Sequence, residues 1–564
     1  MRPAAENNTS QRGRFLLSPW SAFCLVVVLT IICFIPDLRN GFLDWDDYGY
    51  ILENTQIRSF SAETIRWSFL EFYCNYWAPL TWLSLAVDYA FWGLNPVGYH
   101  LTNNLLHALN SGMFFFISFQ TLHQYVANRR TEQSSPTFLT PANILYCALV
   151  AALMFALHPL RVESVAWITE RKDVLSMFFG LLAVLAYLRH VRTARMDADR
   201  PFPGPLFLSS ASYWLMLACY ILSLCSKAMF ITLPVVLLVL DWFPLRRISR
   251  DRLNEILVEK IPLLMLAGLA SVITAQAMAV TSKSLAEINL VTRVAIAFKS
   301  LMAYLWMLVW PVSISPAYLH PGNVSYISFE FIASFLLVLT ITAICMVWAQ
   351  RRPVFLAAWL LFLIMLLPVL GFTQNGPQAM AARFTYLPGM PAALVAALGI
   401  TALKDRFSSL PRAVVLVHAG VATLLVWYSI ISVRDIGFWK DDVTLWSRVI
   451  ELQQSQKIGK PYFQRALAHS ARGDYPKALD DINVAFSIAE SKKYRGLHEL
   501  HAARARILKG LGDRDAAIAE YGKAIESAVP PIPQYYLIER DELLTLQGKR
   551  GQTHGETGNV ERIQ

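Results

Sequence analysis

The chain has 564 residues; 55% are hydrophobic, only 16% are charged, and the mean hydropathy is +0.40. A soluble domain carries roughly a quarter charged residues, so a soluble enzyme, a disordered chain and a DNA-binding domain are excluded. The apolar runs are continuous rather than alternating, which excludes an outer-membrane barrel. The net charge of +10 reads as the Lys and Arg excess of cytoplasmic loops, not as a nucleic-acid surface. Seven cysteines without a CxxC pair form no disulfide framework and read as apolar packers.

The first apolar run, about 15–36, follows Arg2, Arg12 and Arg14 and lacks a small-residue cleavage site. It reads as an uncleaved first helix with a cytoplasmic N-terminus. Residues 37–98 then form a first outer loop with eight acids against three bases. Further spans are predicted near 99–121, 142–158, 173–189, 209–225, 228–244, 260–280, 329–349, 353–371, 386–403 and 412–432. A twelfth run, 294–311, is assigned to the surface or to a re-entrant segment. With eleven spans, every cytoplasmic loop carries a basic cluster, among them Arg246–Arg247, Arg351–Arg352 and Lys404–Arg406. A twelfth crossing would turn the last two outward. The predicted fold is therefore all-α and polytopic, with a membrane domain over 1–434.

After about residue 435 the composition becomes soluble. Gly473, Ala478 and Ala485 match Gly512, Ala517 and Ala524 at an offset of 39 residues. The pattern reads as a tetratricopeptide-like helical domain over 435–550, followed by a disordered tail, 551–564. Such arrays bind peptides or partner proteins.

Chemistry-bearing residues gather in the outer loops. Asp44-Trp45-Asp46-Asp47 follows the first helix. Either of Asp46 and Asp47 could serve as a general base, or the pair could hold a divalent cation. His100, Asn104 and His107 share one helix face, a spacing more suited to hydrogen bonding inside the bundle than to metal. The second outer loop, 159–172, follows His158. It includes Glu163 and runs into Glu170-Arg171-Lys172-Asp173. Ionisable groups between two spans need a polar cavity, and Arg171 and Lys172 suit a phosphate. Lys227 lies alone between two apolar runs, and Arg383-Phe384-Thr385-Tyr386 opens another span. Arg171, Lys227 and Arg383 thus offer positive charge from three outer loops.

In this order, DWDD, WGLNPVGYHLTNNLLH, HPLRVESVAWITERKDVLS, SK, RFTYLP and WKDDVTLW resemble one family. The chain, over about 36–530, is similar to the transmembrane and tetratricopeptide-repeat O-mannosyltransferases and their bacterial relatives, in the GT-C superfamily. The resemblance implies a membrane glycosyltransferase using a polyprenyl- or dolichyl-phosphate sugar, mannose by the family name. Its acceptor would be a Ser/Thr or glycan hydroxyl, held by the repeat domain. It implies Asp46 or Asp47 as base, Arg171 and Lys172 at the lipid phosphate with Lys227, Arg383 and Tyr386 assisting, and His100, Asn104, His158 and Glu163 in support. No cofactor is required, although a divalent cation at Asp46/Asp47 is compatible. Ala228 after Lys227 departs from eukaryotic members, which commonly place an acid there, and the short array leans toward a bacterial inner membrane over the endoplasmic reticulum. Two other readings exist: a non-catalytic scaffold recruiting partners through its repeats, and a transporter, which would place charges at mid-membrane.

Overall fold

The structure, a computed structural model, describes residues 18–130, 138–196, 206–279, 288–320, 324, 327–372, 378–453, 458–491 and 496–546. The tail 551–564 lies outside the described residues. The chain divides into two compact units. One holds Asp47–Ile314 and Tyr318–Ile436 with the N-terminal segment. The other holds Gly437 onward with the strips Gly41–Asp46 and Ser315–Ala317.

The first unit is almost wholly helical. Its helices are α1 (Pro19–Phe34), α2 (Ala62–Leu70), α3 (Pro79–Trp92), α4 (Pro96–Arg130), α5 (Pro141–Ala156), α6 (Val162–Ala166), α7 (Arg171–Met196), α8 (Ala211–Ser226), α9 (Leu233–Trp242), α10 (Leu253–Ala277), α11 (Leu290–Val309), α12 (Phe329–Trp348), α13 (Pro353–Leu366), α14 (Gly389–Arg406) and α15 (Pro411–Ile436). Proline opens α1, α3, α5 and α13, where its missing N–H has no intrahelical partner to lose. Ser18, Thr140, Ser210 and Asn289 accept backbone N–H groups at the starts of α1, α5, α8 and α11.

Among the described residues, seven helices are long and apolar enough to cross a membrane, or eight when one bent pair counts as a span. The chain is a multi-pass membrane protein. Three further apolar helices, Ala211–Ser226, Ala228–Trp242 and Pro353–Val369, fall short of the roughly 20 residues a straight span needs. Helix α14 has 18 residues and ends in Lys404, Asp405 and Arg406. Segment 294–311, expected to lie along the surface or to re-enter, falls in α11, which is long and apolar enough to cross and whose charges are only Arg293 and Lys299. The 37–98 loop carries two helices of its own, α2 and α3.

The bent pair decides where the polar residues go. Helix α5 stops before Pro159, which cannot donate to the ladder, and the chain turns by 57° into Pro159–Ala166. His158 caps the break: its Nδ1 accepts from Leu160 N at 3.2 Å. The following 3-10 turn Ile168–Glu170 leads straight into α7. Every residue from His158 to Asp173 is buried.

A two-stranded antiparallel sheet, β1 (Tyr318–Leu319) with β2 (Gln378–Met380), pairs Tyr318 with Met380 and Leu319 with Gln378. It fixes the approach to Arg383.

The second unit is a run of helices: α16 (Asp442–Gln453), α17 (Lys460–Ala471), α18 (Tyr475–Ser491), α19 (Leu497–Leu511), α20 (Arg514–Ser527) and α21 (Gln534–Leu546). Helices α17–α18 and α19–α20 form two hairpins. Their turns use Gly473 (φ +77°) and Gly512 (φ +87°), where a side chain would be strained. At the 39-residue offset, Ala466, Ala478 and Ala485 match Ala505, Ala517 and Ala524, and all six are buried. Small residues there let the paired helices approach closely. The strip Gly41–Asp46 packs on this unit: Gly41 N donates to Lys440 O at 3.0 Å, and Trp45 lies 5.2 Å from Trp446.

Candidate functional site

The first unit buries a network of three acids and three bases around the bent pair. Glu163 comes from α6, Glu170 from the 3-10 turn, and Lys172 and Asp173 from the first turn of α7. Lys227 comes from the break between α8 and the 3-10 turn Ala228–Thr232, and Arg383 from the 3-10 turn Ala382–Thr385. Lys227 Nζ lies 3.2 Å from Glu170 Oε2 and also binds Asp173 Oδ1. Arg383 Nε is 3.3 Å from Glu170 Oε1, and its guanidinium also binds Glu163 Oε1. Gln378 Oε1, delivered by β2, accepts from Arg383 Nη2 at 2.8 Å. Lys172 Nζ stands 3.5 Å from Glu170 Oε1 and 4.8 Å from the ring centres of both Tyr50 and Tyr76.

Buried charges persist only when paired, and here every member has an opposite partner. Exposure separates the roles. The three acids and Lys172 are at most 2% exposed, whereas the side chains of Lys227 and Arg383 are 21% and 12% exposed. These two cations are the most exposed members of the network. Burial pulls the pKa of each down. For Arg383, Glu163 and Glu170 outweigh it, and for Lys227, Asp173 and Glu170 do so. Both end above their ordinary values and stay charged at neutral pH.

Asp47 joins this arrangement from the end of the DWDD motif. It is buried, and its Oδ1 accepts from Thr169 N at 3.1 Å, next to Glu170. Asp46 belongs to the second unit and is half-buried there. Among the described residues no three His, Cys, Asp or Glu side chains group as a metal site, and one Asp47 oxygen accepts from Thr169 N.

The structure redirects several expected site residues. Arg171 is fully buried among protein partners. It reaches Asp88 Oδ2 at 2.6 Å, Asn103 Oδ1 at 2.5 Å, Ser84 Oγ at 2.8 Å and Tyr99 O at 2.8 Å. It clasps α3 and α4 to α7. Tyr386 is likewise buried. Its hydroxyl meets His107 Nδ1 at 2.6 Å and accepts from Asn110 Nδ2 at 3.3 Å. His100 faces Asp37 at 3.2 Å, and Asn104 Nδ2 donates to Phe34 O at 3.1 Å, so both hold the end of α1. His158 Nε2 meets Leu308 O at 3.1 Å. These four residues frame the network without lining it.

Sequence reasoning passed over Glu170, Asp173, Asp88 and Gln378. The first two stand in the quoted block and were signalled by their charge density. Asp88 was one acid among eight, and Gln378 carried no signal. Arg161 was also missed. It donates to Thr385 O and Oγ1, both at 2.9 Å, and so ties the second outer loop to the RFTYLP segment.

Comparison with known proteins agrees with this assembly of motifs. The chain is 29% identical over 258 residues to Protein O-mannosyl-transferase TMTC1 of Mus musculus, covering 43% of this chain and 24% of that protein. It is 37% identical over 120 residues to Protein O-mannosyl-transferase TMTC2 of the same organism, covering 21% and 12%. Tmtc3 of Drosophila melanogaster is 28% identical over 200 residues, covering 33% and 20%. Over these stretches the chain is similar to the TMTC protein O-mannosyl-transferases. The matched stretches span a quarter or less of the length of these curated relatives. No family model and no solved structure matches the chain.

Proposed function

We propose that this chain is a GT-C glycosyltransferase. It transfers mannose from a polyprenyl- or dolichyl-phosphate carrier to a protein Ser/Thr hydroxyl, on the extracytoplasmic side of a bacterial inner membrane. The supporting observation is the pair Lys227 and Arg383. They are the two partly exposed cations of an otherwise buried charge network, and they stand beside apolar helices.

Transfer breaks the bond between the sugar's anomeric carbon and a phosphate oxygen. The electron pair stays on that oxygen, so negative charge grows on the lipid phosphate. Lys227 and Arg383, held in place by Glu170, Asp173 and Glu163, face that growing charge without reorganising. Asp47, oriented by Thr169 N, takes the proton from the acceptor hydroxyl as the oxygen attacks. A single displacement of this kind inverts the anomeric centre. The helical hairpins of the second unit act as the tetratricopeptide-like array that takes up the acceptor protein.

The test is release of polyprenyl phosphate by purified, reconstituted protein supplied with lipid-phosphate mannose and a Ser/Thr peptide. Lys227→Gln should lower kcat about 10²–10³-fold, the typical effect of losing one charge-stabilising donor. An unchanged rate in that variant would remove Lys227 from the reaction.

A further inference from the structure

A cavity in the first unit approaches the charge network at one end and extends away from it. Helices α4, α7, α9, α13 and α14 enclose a cavity of about 400 Å³ with a nearly continuous apolar wall. One end reaches Phe230 and Leu387, each about one helical turn from Lys227 or Arg383. The other end opens at Arg351 and Arg352, at the start of α13. The wall follows α14 from Met390 to Ala402, about 20 Å at 1.5 Å per residue. The arginine mouth is therefore remote from Lys227 and Arg383.

Two features mark the occupant. Arg351 and Arg352 are both exposed, and among the described residues neither makes an ion pair. Two adjacent unpaired cations at the mouth of a hydrocarbon-lined cavity complement an anionic headgroup carrying an acyl chain. Deeper in, Ser118 and Thr121 of α4 face the cavity, and their buried hydroxyls have no hydrogen-bond partner among the described residues. This sets them apart from Ser111, Ser271, Thr274, Thr342 and Thr401, whose hydroxyls all bond the carbonyl four residues back. Unpartnered donors inside an apolar wall suit an acceptor that cannot itself donate. The ester carbonyls of a glycerolipid are such acceptors, and they lie just below the phosphate. A polyprenyl phosphate has none.

We infer that this cavity binds an anionic glycerophospholipid, with its phosphate at Arg351–Arg352, its ester carbonyls near Thr121 and Ser118, and one acyl chain running toward Phe230. This inference does not depend on the transferase reading.

The experiment is native mass spectrometry of the full chain after delipidation and re-addition of phosphatidylglycerol, phosphatidylcholine or undecaprenyl phosphate. Phosphatidylglycerol should bind one to one and about tenfold more tightly than phosphatidylcholine. Arg351→Gln with Arg352→Gln should bring the two lipids level. Ser118→Ala with Thr121→Val should weaken both phospholipids and leave undecaprenyl phosphate unchanged. Gly399→Leu is the control for folding. Gly399 lines the cavity and an added Cβ meets nothing within 4 Å, so the backbone there accepts a side chain that would narrow the space. It should abolish one-to-one binding while the thermal midpoint stays within a few degrees of wild type. Equal affinity for phosphatidylglycerol and phosphatidylcholine in the wild-type protein would overturn the inference. So would binding of undecaprenyl phosphate alone, unaffected by the arginine changes.

Discussion

Arg383 and Glu163, 220 residues apart, close a two-point contact: Arg383 N donates to Glu163 Oε2 at 3.0 Å, and its guanidinium takes Oε1 of the same carboxylate. One acid thus fixes both the backbone and the side chain of the cation that faces the site. The arrangement orients Arg383 from below while leaving part of its guanidinium accessible.

Removing that acid should act on position before charge. Glu163→Ala removes one of the two carboxylates on Arg383 and the acceptor of its N–H; Glu170 and Gln378 remain, so the cost should fall below the about 3–5 kcal/mol of stranding a buried charge. The thermal midpoint should fall clearly. Glu163→Gln keeps an acceptor and should recover most of the stability while transfer remains slow. Equal stability of the Ala variant and the wild type would show that the contact does not hold Arg383.

Arg171 and Lys227 should separate cleanly. Arg171 has four protein partners and is buried, so Arg171→Ala should lower the thermal midpoint strongly. Lys227 is partly accessible, and Gln keeps a donor beside the buried Asp173 and Glu170, so Lys227→Gln should lower the midpoint less than Arg171→Ala does and act on kcat and on donor KM. A stable Arg171→Ala protein that has lost donor affinity would return Arg171 to the phosphate.

A pH effect belongs to the second unit. Burial, with Asp44 and Asp441 nearby, outweighs the hydrogen bond from Asp44 N and pushes the Asp442 carboxyl up to about 6. Its ordinary value is 3.8. The native state therefore holds this proton more tightly than the unfolded state. The resulting stabilisation is fully present below about pH 4 and is lost as pH rises through 6. Thermal unfolding followed from pH 4 to 7 should show this slope, and Asp442→Asn should flatten it. An identical slope in the variant would assign the effect to another group.

Much of this was legible along the chain because membrane helices must be apolar and charges between them must be functional or paired. Lys227, Arg383, Lys172 and Glu163 were singled out on that ground, and the structure gathers them around Glu170. Arg171 was singled out by the same rule and is instead locked into the frame. Composition cannot distinguish a cation that faces a cavity from one that meets Asp88, 83 residues earlier. The hydrophobic pattern also could not place segment 290–309. Its few charges fit a spanning helix, while the charge balance of the later loops argued against a crossing. The alanines at the 39-residue offset were readable because close helix crossings demand small side chains, whereas Gln378 was not, since only the short sheet brings it to Arg383.

In the proposed reaction Asp47 and Lys227 act in one transfer step. The most direct measurement is release of polyprenyl phosphate from lipid-phosphate mannose in proteoliposomes, comparing wild type with Asp47→Asn and Lys227→Gln. The wild type should show peptide-dependent release, reduced about 10²–10⁴-fold in Asp47→Asn, with both variants folded and inserted. Wild-type rates in both variants, or no release by the wild type with any lipid-phosphate sugar, would contradict it.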